Sequence, residues 1–461
     1  MKQRPSILLP AAAALCAGLA LFLAASPGAI AGNRQSYLIG GRGAMMGGAF
    51  SAVADDASAA WYNPGGLAFN LRSSIDISAN AFALTHLRIR DFASIRSEFE
   101  EISADFGSLD YAVVPTSFVY VLRLTRKEAP HPIVMAFSVF VPVLERWGDS
   151  MKVETALQYP EQNLDLLVSE RMDLSTDSQT YFIGPALGFH VNDSLGLGLS
   201  VHAVYAKVAM MGDYYADVIE RNTAVESFSL ATSAVKASHV GIGFSVGLLA
   251  KIGDRMNLGL SFRSPVFKIY SDVQVTSFEA GVSDEVTFDD TSSSHEGFGA
   301  EMVFPWSVTA AVAFLQEGRW TLDFELDFTG ALDNARAGIH YKSVVNARGG
   351  VEIGLTPRVF LDFGLFTDAS PYGRLRNLHD RQIDFVGGTL GVTWRAPYTV
   401  SGSKKTARID FSTTVGVRYA HGWGKVVGLT QDVGAESQTM LTTSDASIEE
   451  AAIYVGSSAS F

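Results

Sequence analysis

The side chains of this chain best equipped for chemistry are charged residues set at every second position of greasy segments. From Trp320, one parity reads Trp320, Leu322, Phe324, Leu326, Phe328, and the other Thr321, Asp323, Glu325, Asp327, Thr329. Arg263, Arg348, Glu352, Asp362, Arg408, Asp410 and Arg418 stand in comparable settings. One or two of these arginines could meet a carboxylate. The competing reading is a paired network filling an interior, because a charge cannot face lipid cheaply. Bond-making chemistry has no such support. The nine histidines are scattered, with no His-Glu-x-x-His and no Gly-x-Ser-x-Gly. The sequence therefore points away from an enzyme. Cys16 is the only cysteine, so a processed chain has no disulfide and no thiolate metal site. No metal and no cofactor is expected.

The elements that would hold these charges are strands. From Leu195 the apolar parity is Leu195, Leu197, Leu199, Val201, facing Gly196, Gly198, Ser200, His202. From Ile409 it is Ile409, Phe411, Thr413, Val415, Val417, facing Asp410, Ser412, Thr414, Gly416, Arg418. Small or charged residues on one face and large apolar ones on the other suit a barrel whose outer solvent is lipid. The expected fold is all-β: a transmembrane antiparallel barrel of about fourteen strands. These begin near Ser74, Asp110, Pro132, Ser178, Ser194, Ala237, Met256, Glu296, Arg319, Val344, Arg358, Arg381, Thr406 and Ile448. Tight turns such as Asn192-Asp193 and Gly253-Asp254-Arg255 alternate with long polar segments, among them 89–109, 145–177, 212–236, 276–295 and 422–446. Short turns on one side and long loops on the other is the outer-membrane pattern. An even strand count returns Phe461 to the starting side, and a last strand ending in an aromatic is the mark read by the barrel assembly machinery. A closed barrel has no free edge, so a monomer is expected.

Composition agrees on the address. Lys2 and Arg4 precede an apolar run from Ile7 to Ala25, and Ala29-Ile30-Ala31 is a small-x-small cleavage site. The expected organisation is a signal peptide at 1–31, a plug at 32–73 and a barrel at 74–461, in the outer membrane of a Gram-negative envelope. The formal charge is −13, and losing Lys2 and Arg4 takes it to −15. That balance argues against a nucleic-acid partner. No later stretch offers ~20 consecutive apolar residues. Yet 48% of the chain is hydrophobic, with 43 Gly and 29 Phe, which bilayer-embedded strands explain.

The stretch from Leu38 to Phe69 has neither the period of a strand nor a long helical pattern. It is rich in Gly and Ala and ends in Asn63-Pro64-Gly65. At the head of a barrel it reads as a plug folded inside the lumen. Its apolar residues Leu38, Met45, Met46, Phe50, Trp61 and Phe69 are candidate contacts for a hydrophobic ligand, Met being suited to varied shapes. Packing of the plug itself is the alternative for each. Phe360 and Phe366 share the parity of Asp362 and should point inward, where large aromatics suit a pocket better than a water channel.

This stretch resembles the FadL/TodX family of outer-membrane transporters for long-chain fatty acids and other hydrophobic compounds. The motif residues are Gly47-Gly48-Ala49, Ala54-Asp55-Asp56-Ala57-Ser58-Ala59, and Trp61-Tyr62-Asn63-Pro64-Gly65-Gly66. It departs slightly: no residue separates Ala54 from Asp55, and Gly65 stands where Ala is usual. The resemblance continues in Gly196-x-Gly198, in Arg348-Gly349-Gly350 and in Phe366-Thr367-Asp368-Ala369-Ser370-Pro371. It implies a fourteen-stranded barrel with an N-terminal hatch, ligand capture from outside, and sideways exit beside an inward-kinked third strand. Pro142 ends the apolar run of that strand and cannot donate to a ladder; it either kinks the strand or closes it. The implied partners are outer-membrane lipid, lipopolysaccharide and a hydrophobic small molecule. The rival readings are a general porin and a structural barrel.

Overall fold

The structure, a computed structural model, describes residues 37–461 except residues 71, 97–100, 127–128, 160–163, 222–224, 283–285, 335–338, 376–379, 402–405 and 433–437. The expected signal peptide and the first residues of the plug, 32–36, lie outside the described residues.

Fourteen antiparallel strands form the wall. They are β1 Ser74–Arg96, β2 Glu101–Arg123, β3 Ile133–Tyr159, β4 Leu164–Asn192, β5 Leu195–Glu220 and β6 Val225–Ile252. β7 comes in two pieces, Met256–Arg263 and Val266–Val282, as does β8, Val286–Phe304 and Ser307–Gln316. There follow β9 Trp320–Thr329, β10 Val344–Gly354, β11 Val359–Asp368, β12 Arg381–Ser401, β13 Thr406–Asp432 and β14 Gln438–Ser460. A small separate hairpin pairs Leu332–Asn334 with Ile339–Tyr341. Each strand pairs with its sequence neighbours, and β14 closes the ring on β1 from Ser74↔Ser460 to Ile89↔Ala446. The breaks in β7 and β8 fall at Ser264-Pro265 and Pro305-Trp306, where a proline removes a ladder donor.

The burial pattern is that of a lipid-facing cylinder. On β9, Phe324 and Leu326 are 54% and 58% exposed, while Asp323 between Leu322 and Phe324 is 0% exposed. Two outward aromatics of β13, Phe411 and Trp423, are 37% and 50% exposed. They are twelve positions apart, about 28 Å along the axis at a tilt near 45°.

One expectation is corrected. The segments read as long polar loops are largely strand. β3, β4, β5 and β6 run for 27, 29, 26 and 28 residues. A strand of that length climbs roughly 60 Å at such a tilt, more than twice the apolar band. Their upper halves stand clear of lipid, so their outer faces turn polar and the alternation that marks a membrane strand fades.

Inside the wall lies the segment 37–70. It forms two single-turn helices, α1 Arg42–Met45 and α2 Ala59–Tyr62, and a 3-10 helix at Pro64–Phe69. The local chemistry is legible. Asp56 accepts from Ser58 N–H at 2.8 Å and fixes the turn into α2. Asn63 accepts from Gly65 N–H at 3.0 Å and caps the 3-10 helix, whose first residue is Pro64. Gly47 has φ +68, and a methyl there would lie 2.9 Å from Leu365 N on β11. Gly198 on β5 is equally constrained, because a methyl on it would run into the Pro64 carbonyl.

Candidate functional site

The inner segment is fastened to the wall by the inward charges. Backbone N–H groups of Phe50 and Ser51 donate to Glu325 at 3.3 and 3.1 Å, and that of Ala52 donates to Asp323 at 3.3 Å. Arg348 holds Glu325 from the other side at 3.1 Å and reaches Asp327 at 3.8 Å. Arg42 grips Glu352 with two bonds of 2.7 and 3.0 Å and also pairs with Asp55 at 2.6 Å. Bidentate, charge-assisted contacts of this kind are the strong ones. Asn63 Nδ2 donates to Ser51 O and to Leu248 O on β6, and Arg263 donates to Trp61 O. Burial, then the neighbouring Asp55 carboxylate, raises the Asp56 carboxyl above its ordinary range.

The eight apolar candidates are all placed on or around this segment, though not at one point. Leu38, Met45 and Phe366 share one buried cluster with Tyr37 and Tyr454. Met46, Phe50 and Trp61 belong to a second. Trp61 packs on Phe140 and Phe182 at 5.2 and 5.3 Å, with the Arg263 guanidinium 4.0 Å over its ring. Phe69 sits beside His190 and under Lys251, and Phe360 lies under Arg395 at 3.9 Å. Phe360 and Phe366 do point inward. Of the motif residues, Gly47 and Gly48 take positive φ, and Pro64 and Gly65 press on Gly198 and Gly247 of the wall.

An open seam lies between β2 and β3. Their pairing runs from Arg123↔Val134 to Ser117↔Phe140 and stops. At that level β3 slips register against β4 between Phe140 and Val143, around Pro142. The Pro142 carbonyl accepts from Tyr37 N–H at 3.1 Å, so the inner segment touches the strand at its break. Above, β2 and β3 meet again where Gly148 N–H donates to Ser108 Oγ at 3.3 Å. Leu109, Tyr111 and Val113, on the β2 lip of the seam, are 67%, 69% and 65% exposed, the apolar dress that lipid contact requires.

Behind the seam is a small cavity of about 60 Å³. Tyr37, Tyr111, Leu144, Trp147, Ile383 and Phe385 supply much of its apolar lining, while Glu145, Arg381, Arg418 and Glu450 supply charge. None of the eight apolar candidates lines it. Arg418 was visible as an inward charge of β13. Glu145 and Trp147 fall in a stretch read as loop, and only the inward parity of Arg381, Ile383 and Phe385 on β12 signals the far wall.

The outer mouth is roofed. After Asp91, whose φ is +48, the β1–β2 hairpin crosses behind β14 and pairs in parallel with β13, Ala93↔Leu429 to Arg96↔Asp432. Ser444 Oγ donates to Asp91 O, and Ser94 and Thr430 share a hydroxyl bond of 2.8 Å. Phe92 and Phe106 are buried beneath, with Met151, Met172, Leu174 and Tyr214. The opposite end holds a polar vestibule lined by Arg42, Asp55, Asp56, Asp76, Arg395 and Asp410, among others.

A sequence profile described as "Outer membrane protein transport protein (OMPP1/FadL/TodX)" matches residues 20–331. No curated protein sequence matches the chain. Among solved structures, a Pseudomonas aeruginosa FadL homologue is similar at 15% identity, covering 93% of this chain and 99% of its own, with a TM-score of 0.58. The P. putida toluene transporter TodX is similar at 14% identity, covering 92% and 98%, with a TM-score of 0.52. At such identities the likeness speaks for the barrel alone.

Proposed function

Because the chain belongs to the outer membrane protein transport family OMPP1/FadL/TodX, we propose that it carries hydrophobic compounds inward without an energy source, residues 32–73 acting as a hatch and the seam between β2 and β3 as a side exit. The single observation that carries this reading is the cavity, part apolar and part charged in its lining, behind an unpaired length of wall.

The physics favours such a route. An acyl chain gains about 0.8 kcal/mol per methylene on leaving water, so it fills an apolar cavity spontaneously, and release is the difficult step. The straight path down the bore crosses the inner segment and a polar vestibule, where that gain would be lost. A sideways path past Leu144 and Tyr111 keeps the cargo in apolar surroundings. Long-chain fatty acids and neutral hydrocarbons both fit this description. The closed ring leaves no edge for a partner, so the transporter works as a monomer, its Phe461 strand end serving the assembly machinery.

The test uses proteoliposomes loaded through the barrel, in a background free of native cysteine once Cys16 is removed with the signal peptide. Ala60→Cys with Ser200→Cys ties the segment to the wall where Ser200 Oγ donates to Ala60 O at 3.0 Å. Oxidation should stop uptake of a fluorescent fatty acid or hydrocarbon, and reductant should restore it. Unchanged uptake in the locked protein would remove the hatch from the mechanism, and rapid swelling in sugar solutions would mark a sieve instead.

A further inference from the structure

The cations of the cavity are already taken. Arg418, almost wholly buried, donates to Glu450 at 2.7 Å and lies with its guanidinium 5.1 Å from the ring of Phe366. Arg381 donates to Glu145 and lies 5.8 Å from the ring of Trp147. Arg146 reaches away to Asp177 at 3.0 Å. Asp110 and Asp368 add two further acids to the lining, so Asp110, Glu145, Asp368 and Glu450 face Arg146, Arg381 and Arg418.

Resting on the transport reading above, we infer that the cargo of this cavity is an uncharged apolar molecule, such as a hydrocarbon or a fatty ester, and that a free carboxylate is disfavoured. A carboxylate head has two options here, both costly. It can unseat Glu145 or Glu450 from its arginine, which strands a half-buried anion. Or it can stay unpaired in a lining that already carries an excess of acid. A neutral molecule asks for neither. It lies on Tyr111, Leu144, Trp147, Ile383, Phe385 and Ile448, while the two ion pairs of the lining stay closed. The pairs thereby act as a filter: they fix the walls and withhold the positive charge that an anionic lipid would need.

The experiment is a titration of the purified full chain in detergent with methyl decanoate and with decanoate at neutral pH. Tryptophan fluorescence is the readout, and the change must vanish in Trp147→Phe. Glu145→Gln and Glu450→Gln each release an arginine; two sites guard against one variant failing to fold. The expected result is that each variant tightens decanoate about tenfold and leaves methyl decanoate essentially unchanged. Decanoate binding the unmodified protein as tightly as the ester would overturn the inference, as would glutamine variants that leave the decanoate affinity unmoved. If neither compound perturbs Trp147, the cavity is not the ligand's place and the transport reading itself falls.

Discussion

The inner segment meets the barrel in two contrasting ways. Against β9 to β11 its backbone N–H groups and Arg42 are held by Asp323, Glu325 and Glu352, all buried. Against the upper halves of β2 and β3 it offers the Tyr37 N–H to the Pro142 carbonyl and then gives way to a cavity. One side is a seat, the other a clearance. A charged hydrogen bond in a dry lumen is strong and directional, whereas a wall without ladder bonds has little to hold it. On the proposed route, movement would belong on the side of the seam.

The seat should break most visibly through Arg42→Ala, which leaves Glu352 with Arg395 as its one cation and costs about 3 kcal/mol, at the low end for a broken buried pair. The expected outcome is ion conductance in planar bilayers where the unmodified protein stays closed. Phe92→Ala probes the roof rather than the seat. It removes a buried ring from the hairpin, again about 3 kcal/mol, so protease should cut the β1–β2 tip faster while conductance stays closed. Gly198→Ala presses a methyl into the Pro64 carbonyl and should destabilise by about 1–3 kcal/mol, read as a lowered thermal midpoint. Pro142→Ala is the gentlest change. It returns one N–H to β3, a bond worth about 1 kcal/mol, and should slow uptake of hydrocarbon about fivefold if the seam is the exit. Pro142→Ala with unaltered uptake would erase the contrast between the two sides.

Much of the seat was legible beforehand. The parity that set Asp323, Glu325 and Asp327 against Phe324 and Leu326 already placed the acids inside, and Asn63-Pro64-Gly65 marked the end of the inner stretch. The small inward residues Gly196 and Gly198 are the footprint of the segment on the wall, because a backbone lying against a strand leaves no room for Cβ. The clearance was far less legible. Glu145 and Trp147 belong to a part of β3 where the outer face is no longer uniformly apolar and the two-residue period weakens. Leu38, Met45, Phe50 and Trp61 were candidate ligand contacts by their chemistry; the structure places them in two buried clusters between the segment and the wall, away from the cavity lining.

What the sequence settled by itself is the cylinder: strand number, the inward and outward faces and the tight turns at one end. These follow from local periods, which every residue reports through its immediate neighbours. Where the ring comes apart, which arginine finds which glutamate, and that a hairpin folds over the mouth were decided only in three dimensions. Parity tells a residue whether it faces in or out, but not how high it sits or what stands opposite, and those are the quantities on which a cavity depends.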